Sequence, residues 1–127
     1  MHPIVLVGIG GFIGAVLRYL MSGFVQNLTQ SVTFPYGTLV VNMIGCFLMG
    51  LFSHLIESQA GMTAEMRLFL LVGLLGSFTT YSTFSHETLN LLQDHGLSLA
   101  LLNIGTHIVL GISAVLLGRF AIIILWR

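Results

Sequence analysis

Six hydroxyl side chains lie close together in the middle of the chain: Ser77, Thr79, Thr80, Ser82, Thr83 and Ser85. They interrupt a long apolar run, and Phe78, Tyr81 and Phe84 stand among them at equal spacing. At 100° per residue the hydroxyls surround a helix and leave no face that lipid would accept. Hydroxyls both donate and accept, and aromatic edges carry partial positive charge, so such a belt can coordinate a small polar species without a fixed cation. Asn42 is the strongly polar side chain within Thr38-Leu-Val-Val-Asn-Met-Ile-Gly45. Burying an unpartnered amide costs roughly 2–7 kcal/mol, so Asn42 must face protein or a pore. An interhelical hydrogen bond worth about 0.6 kcal/mol is the alternative reading; the neighbouring hydroxyl belt favours the pore. Glu87, with His86 beside it, is an acid placed for either a functional role or solvation at a vestibule. Asn103, Thr106 and His107 form a further polar patch, with Asn103 and His107 four apart on one helix face.

Composition says where these groups must work. Of 127 residues, 56% are hydrophobic and 6% charged, and the mean hydropathy is +1.02. A soluble domain carries about 25% charged residues; this chain is an integral membrane protein. It has no lysine and no net charge, which removes the electrostatic footprint of a nucleic-acid binder. The single cysteine, Cys46, excludes an intrachain disulfide and reads as a small packing residue. There is no nucleophile elbow, HExxH or phosphate loop, so the chain does not read as an enzyme. The start, Met-His-Pro-Ile-Val, lacks a basic stretch, and the first span is expected to stay in the mature protein.

Positioning falls to four helices in one domain covering 1–127. About 20 apolar residues cross a hydrocarbon core of about 30 Å, which places spans at about 4–24, 37–56, 67–92 and 97–126. Gln26 to Pro35 reads as a loop and Glu57 to Met62 as a turn. Thr63 is the expected N-cap of the third helix and Gly96 its terminating glycine. Gly10 and Gly14 have the spacing that lets helices approach closely in lipid. Arg18 either snorkels to the interface or pairs with a carboxylate at a vestibule. The four arginines, Arg18, Arg67, Arg119 and Arg127, give too little bias to set orientation, and insertion in both directions is the favoured reading. Four helices leave no room for a wide conduit, so a second copy is expected to complete the path. Copies inserted oppositely would form an antiparallel, dual-topology homodimer. A break in the third helix near Gly76 to Thr80 would turn carbonyl oxygens inward, a ligand set suited to Na+. A continuous, bent helix with back-bonded hydroxyls is the competing picture.

Gly10-Gly-Phe-Ile-Gly-Ala-Val-Leu-Arg-Tyr19, Gly37-Thr-Leu-Val-Val-Asn42 and Gly76-Ser-Phe-Thr-Thr-Tyr-Ser-Thr-Phe-Ser85 resemble, in order and across nearly the whole chain, the Fluc/CrcB fluoride channels. The third motif is highly specific; the glycine motif alone is weak. The resemblance implies an all-α, four-span antiparallel homodimer in the cell inner (plasma) membrane, surrounded by lipid, exporting fluoride passively. It implies a structural Na+ at the dimer interface, held by the backbone carbonyls of Gly76 and Thr79. It assigns the fluoride path to Asn42, Tyr81 and Phe84, with Tyr81 standing where the family commonly has Phe. Thr83, Ser85, Glu87, Asn103 and His107 follow as further lining, and Arg18 as a vestibule residue. Two other readings compete: a proton-coupled small multidrug exporter and a non-transporting membrane assembly subunit. The first needs a glutamate in the opening span, which is absent here; the second leaves the hydroxyl belt without a purpose.

Overall fold

The structure is a computed structural model that describes residues 1–58 and 62–126. All regular structure among these residues is helical. Four stretches are long and apolar enough to cross a membrane: Pro3–Thr29, Tyr36–Ser58, Ala64–His95 and Leu97–Leu125. The first and last are α1 and α6, and the second is α2. The third is composite: α3 (Ala64–Arg67), a π-helical run (Leu68–Leu75), α4 (Gly76–Phe78) and α5 (Tyr81–His95).

Helix ends follow local chemistry. His2 caps α1, its Nδ1 accepting from the Ile4 N–H at 3.3 Å, with Pro3 in the first turn where a missing N–H costs nothing. The Thr63 hydroxyl accepts from the Met66 N–H at 3.2 Å, as the sequence reading expects of an N-cap. Gly96 ends α5 at φ 96°, a conformation that favours glycine.

The first span needs correction. Gln26 to Thr29 are the last turn of α1, not loop, and the chain leaves the helix at Gln30 with φ 51°. Gln26 has a task there. Its Nε2 donates to the Ser31 carbonyl and, at 3.2 Å, to the Phe34 carbonyl, while its Oε1 accepts from the Gly37 N–H at 3.1 Å. One side chain thus closes the connecting loop and satisfies an orphan donor at the start of α2. Phe34 fastens the loop to α5 and α6 by packing with Leu91 and Ala100. Of the expected turn from Glu57 to Met62, Glu57 and Ser58 belong to α2, and residues 59–61 lie outside the described residues, as does Arg127.

Glycines set the helix spacing. Cβ atoms added at Gly10 and Gly14 would run into the backbone of Phe69, Gly73 and Leu74, so the spaced pair in α1 does seat a helix, the third span. Gly50 and Gly118 similarly seat α2 against α6: a Cβ at Gly50 would meet the Val115 backbone, and one at Gly118 the backbone of Phe47 and Leu51. Large apolar residues such as Ile108, Ile112, Leu117 and Ile124 remain exposed on α6, which suits a lipid-facing surface. Ser113 on that helix returns its hydroxyl to the Val109 carbonyl at 2.7 Å, and Thr106 returns its own to Leu102 at 2.8 Å. These bonds spare lipid an unpaired donor.

Candidate functional site

Between α4 and α5 the backbone is extended at two residues, Thr79 (φ −91°, ψ 148°) and Thr80 (φ −140°, ψ 125°). In a continuous helix the Thr80 N–H would bond to the Gly76 carbonyl. Here it donates to Asn42 Oδ1 at 3.1 Å, and Asn42 Nδ2 donates back to the Thr80 carbonyl at 3.4 Å. The amide stands in for a peptide group and pairs both backbone polar atoms of Thr80, inside what would be hydrocarbon. Asn42 is buried, with 8% of its surface exposed. The interhelical hydrogen bond that the sequence offered for this residue is present, and one amide N–H remains after the Thr80 pair is made. Gly45 makes the approach feasible, because a Cβ there would collide with the Thr79 methyl group.

Thr80 stands where two cavities meet. The larger, about 580 Å³, is lined by Arg18, Thr38, Thr80, Thr83 and Glu87 and roofed by the loop through Phe34. Arg18 and Glu87 both line this space. Glu87 Oε1 accepts from the Thr38 hydroxyl at 2.7 Å, while Oε2 is buried without a hydrogen-bond partner. The second cavity, about 350 Å³, is lined by Asn42, Cys46, Thr79, Thr80, Tyr81, Phe84 and His107. Tyr81 and Phe84 do share a face, with ring centroids 5.7 Å apart and planes tilted by 52°. Phe84 is also 4.3 Å from the His107 ring.

The remaining sequence-derived candidates separate. Thr83 lines the larger cavity. Ser85 is exposed and returns its hydroxyl to the Tyr81 carbonyl at 3.0 Å. Asn103 is wholly buried at 0% exposure and lines neither of the two larger cavities. Its Nδ2 donates to Thr88 Oγ1 at 2.9 Å, and Thr88 donates to the Phe84 carbonyl at 2.7 Å. Asn103 thus steadies the helix that carries Phe84 from behind. Its carbonyl contacts His107 Nδ1 at 3.0 Å. Gly76 is exposed and Thr79 half-buried. Among the described residues no three His, Cys, Asp or Glu side chains gather to hold a metal. Gln26, Thr38, Gly45 and Thr88 received no functional role from the sequence. Hydrophilic residues near span ends gave Gln26 and Thr38 some signal; Gly45 and Thr88 acquire theirs only from the partner each meets in space.

Arg119, unplaced by the sequence, bonds Glu57 at 3.3 Å and so belongs with the C-terminal end of α2.

Residues 5–119 match the family model described as CrcB-like protein, Camphor Resistance (CrcB). Curated relatives cover almost the same extent. "Fluoride-specific ion channel FluC 1" of Methanosarcina acetivorans is 50% identical over 95% of this chain and 91% of its own length. "Fluoride-specific ion channel FluC 3" of Methanosarcina barkeri is 46% identical over 94% of this chain and 89% of its own. "Fluoride-specific ion channel FluC" of Maridesulfovibrio salexigens is 41% identical over 93% of each.

Proposed function

The chain belongs to the CrcB family, and on that footing we propose that it is a fluoride-selective ion channel, not an enzyme, that lets fluoride leave the cell passively through a multi-pass membrane domain. One observation carries the reading at the level of atoms: the Asn42–Thr80 pair sits at the junction of a charged, hydroxyl-lined vestibule and an aromatic chamber. Fluoride is small and strongly hydrated, so a conduit must replace its water with donors while holding it weakly enough to release it. Thr83, the free amide N–H of Asn42 and the ring edges of Tyr81 and Phe84 are the donors offered. Arg18 attracts the anion at the vestibule, where Glu87 and Thr38 shape the polar wall.

The functional unit we propose is an antiparallel homodimer in the inner (plasma) membrane. Tyr81 is 80% exposed, and Ser82, Thr83, Ser85 and His86 are also exposed within the same apolar-span limits. A second copy would cover this polar surface, which lipid would leave unpaired. The break also bears on sodium. Diverting the Thr80 N–H to Asn42 takes the Gly76 carbonyl out of its usual helical bond, and Thr79 is extended beside it. Two carbonyls from each of two copies would suit Na+, which favours oxygen ligands; when bound, the ion would fix the two breaks against each other.

Purified protein in liposomes, followed with fluoride- and chloride-selective electrodes, tests the proposal. Fluoride should leave and chloride should stay. Equal release of both, or release of neither, defeats it. Against a proton-coupled exporter stands α1, which carries no acidic residue from Pro3 to Thr29.

A further inference from the structure

Resting on the fluoride-channel reading, we infer that His107 is a proton-operated donor in the conduction path, so that fluoride flux rises as the medium is acidified. The argument starts from the ring's two nitrogens. Nδ1 lies 3.0 Å from the Asn103 carbonyl oxygen. A carbonyl only accepts, so Nδ1 carries a hydrogen and the neutral ring is fixed in one tautomer. Nε2 then presents a lone pair. It is buried and has no hydrogen-bond partner, in a ring that lines the aromatic chamber against Phe84.

The chamber has few other donors to offer. The Asn42 amide is engaged with Thr80 on its oxygen and on one N–H, and the Thr79 hydroxyl is turned to the Leu75 carbonyl at 3.1 Å. Met43, Met49, Ile108 and Val115 make up much of the remaining wall. An anion in this space meets a lone pair when His107 is neutral and an N–H donor with positive charge when it is protonated. Hydrogen bonds from a charged donor are roughly twice as strong as neutral ones.

No other group facing the ring carries that switch. From α2 the titratable side chain lining the chamber is Cys46, and from α5 it is Tyr81; no carboxylate or guanidinium lines it. Glu87, further along α5, borders the neighbouring cavity, and His86 is exposed. The proton enters from water and stays on the ring as fluoride passes, so no proton is consumed by transport. Such a device matches conduction to need, because fluoride enters cells as HF from acid surroundings.

Efflux from liposomes at matched internal and external pH decides the matter, with the HF leak of protein-free vesicles subtracted. Protonating the ring turns Nε2 from an acceptor into a charged donor, so wild-type flux should rise severalfold as the pH is stepped from neutral to acid. His107→Gln keeps a neutral donor and cannot titrate; its flux should be flat across the range. A flat wild-type profile, or parallel rises in both proteins, overturns the inference. A wild-type protein silent at every pH instead defeats the channel reading itself. Should His107→Gln not conduct, nitrogen NMR of histidine-labelled wild-type protein supplies the second measurement. Fluoride should move the His107 Nε2 resonance at acid pH and not at neutral pH, and an unmoved resonance overturns the inference.

Discussion

Asn42 holds the backbone of Thr80, and in the proposed channel it would also face the ion. Asn42→Asp keeps an acceptor for the Thr80 N–H but loses the donor to the Thr80 carbonyl. Leaving that buried acceptor unpaired costs about 1–3 kcal/mol, and the added negative charge repels fluoride. We expect flux to fall to the level of protein-free vesicles while size-exclusion chromatography still shows an assembled protein; wild-type flux would remove Asn42 from the path. Phe84→Ile should likewise abolish flux, since it takes away the ring shared with Tyr81 and His107. Asn103→Leu belongs to a different kind of effect. It removes the bond to Thr88 from a fully buried site, so thermal stability should drop by about 1–3 kcal/mol, with fluoride-over-chloride selectivity kept in the protein that remains folded. Asn42 was legible from sequence as polar in an apolar span, but its bond partner was not. Thr80 lies 38 positions away, and no local spacing rule connects them. Asn103 and His107 were correctly seen as one helix turn apart, yet one faces α5 and is buried behind the chamber while the other borders the chamber itself.

The helices were the most legible part, because about 20 apolar residues between polar breaks leave few choices in lipid. What hydropathy could not supply was the last turn of α1 or the π-helical run from Leu68 to Leu75, where Leu, Phe, Val and Gly73 carry no signal for that form over an α-helix. Helix spacing, by contrast, was written into the glycines, and it can be tested at matched positions. A Cβ at Gly14 would strike the Leu74 carbonyl, whereas one at Gly8 has nothing within 4 Å. Gly14→Ala should therefore destabilise by about 1–3 kcal/mol in a detergent thermal melt, and Gly8→Ala should not. Equal midpoints would show that the α1 packing is not as tight as the backbone indicates. Gly45 governs the extended step instead, because a side chain there would displace Thr79. Gly45→Ala should depress flux more than it depresses the melting midpoint, and the deficit should deepen when sodium is replaced by a bulky organic cation.

At the scale of the whole molecule, a single chain leaves its most polar membrane segment uncovered. Tyr81, Ser82, Thr83, Ser85 and His86 are exposed, and some of their hydroxyls turn inward, as Ser85 does to Tyr81, but an exposed tyrosine hydroxyl and a histidine have no such escape. Either lipid tolerates them or a partner covers them, and the cost of unpaired polar groups in hydrocarbon favours the partner. The relative orientation of two copies is then open to a topological test. Four spans put both termini on one side, so a short soluble linker between two copies forces them to lie parallel. Inserting one additional apolar helix into the linker lets the second copy lie inverted. If the pair is antiparallel, the fusion with the added helix should conduct fluoride at the level of separate copies and the short-linked fusion should not. Flux from single, isolated fusions distinguishes the arrangements, because pairing between different fusions is then unavailable. The reverse pattern would make the dimer parallel. It would also bring the two Gly76–Thr80 steps together about an axis normal to the membrane, leaving a sodium site between inverted copies without a basis.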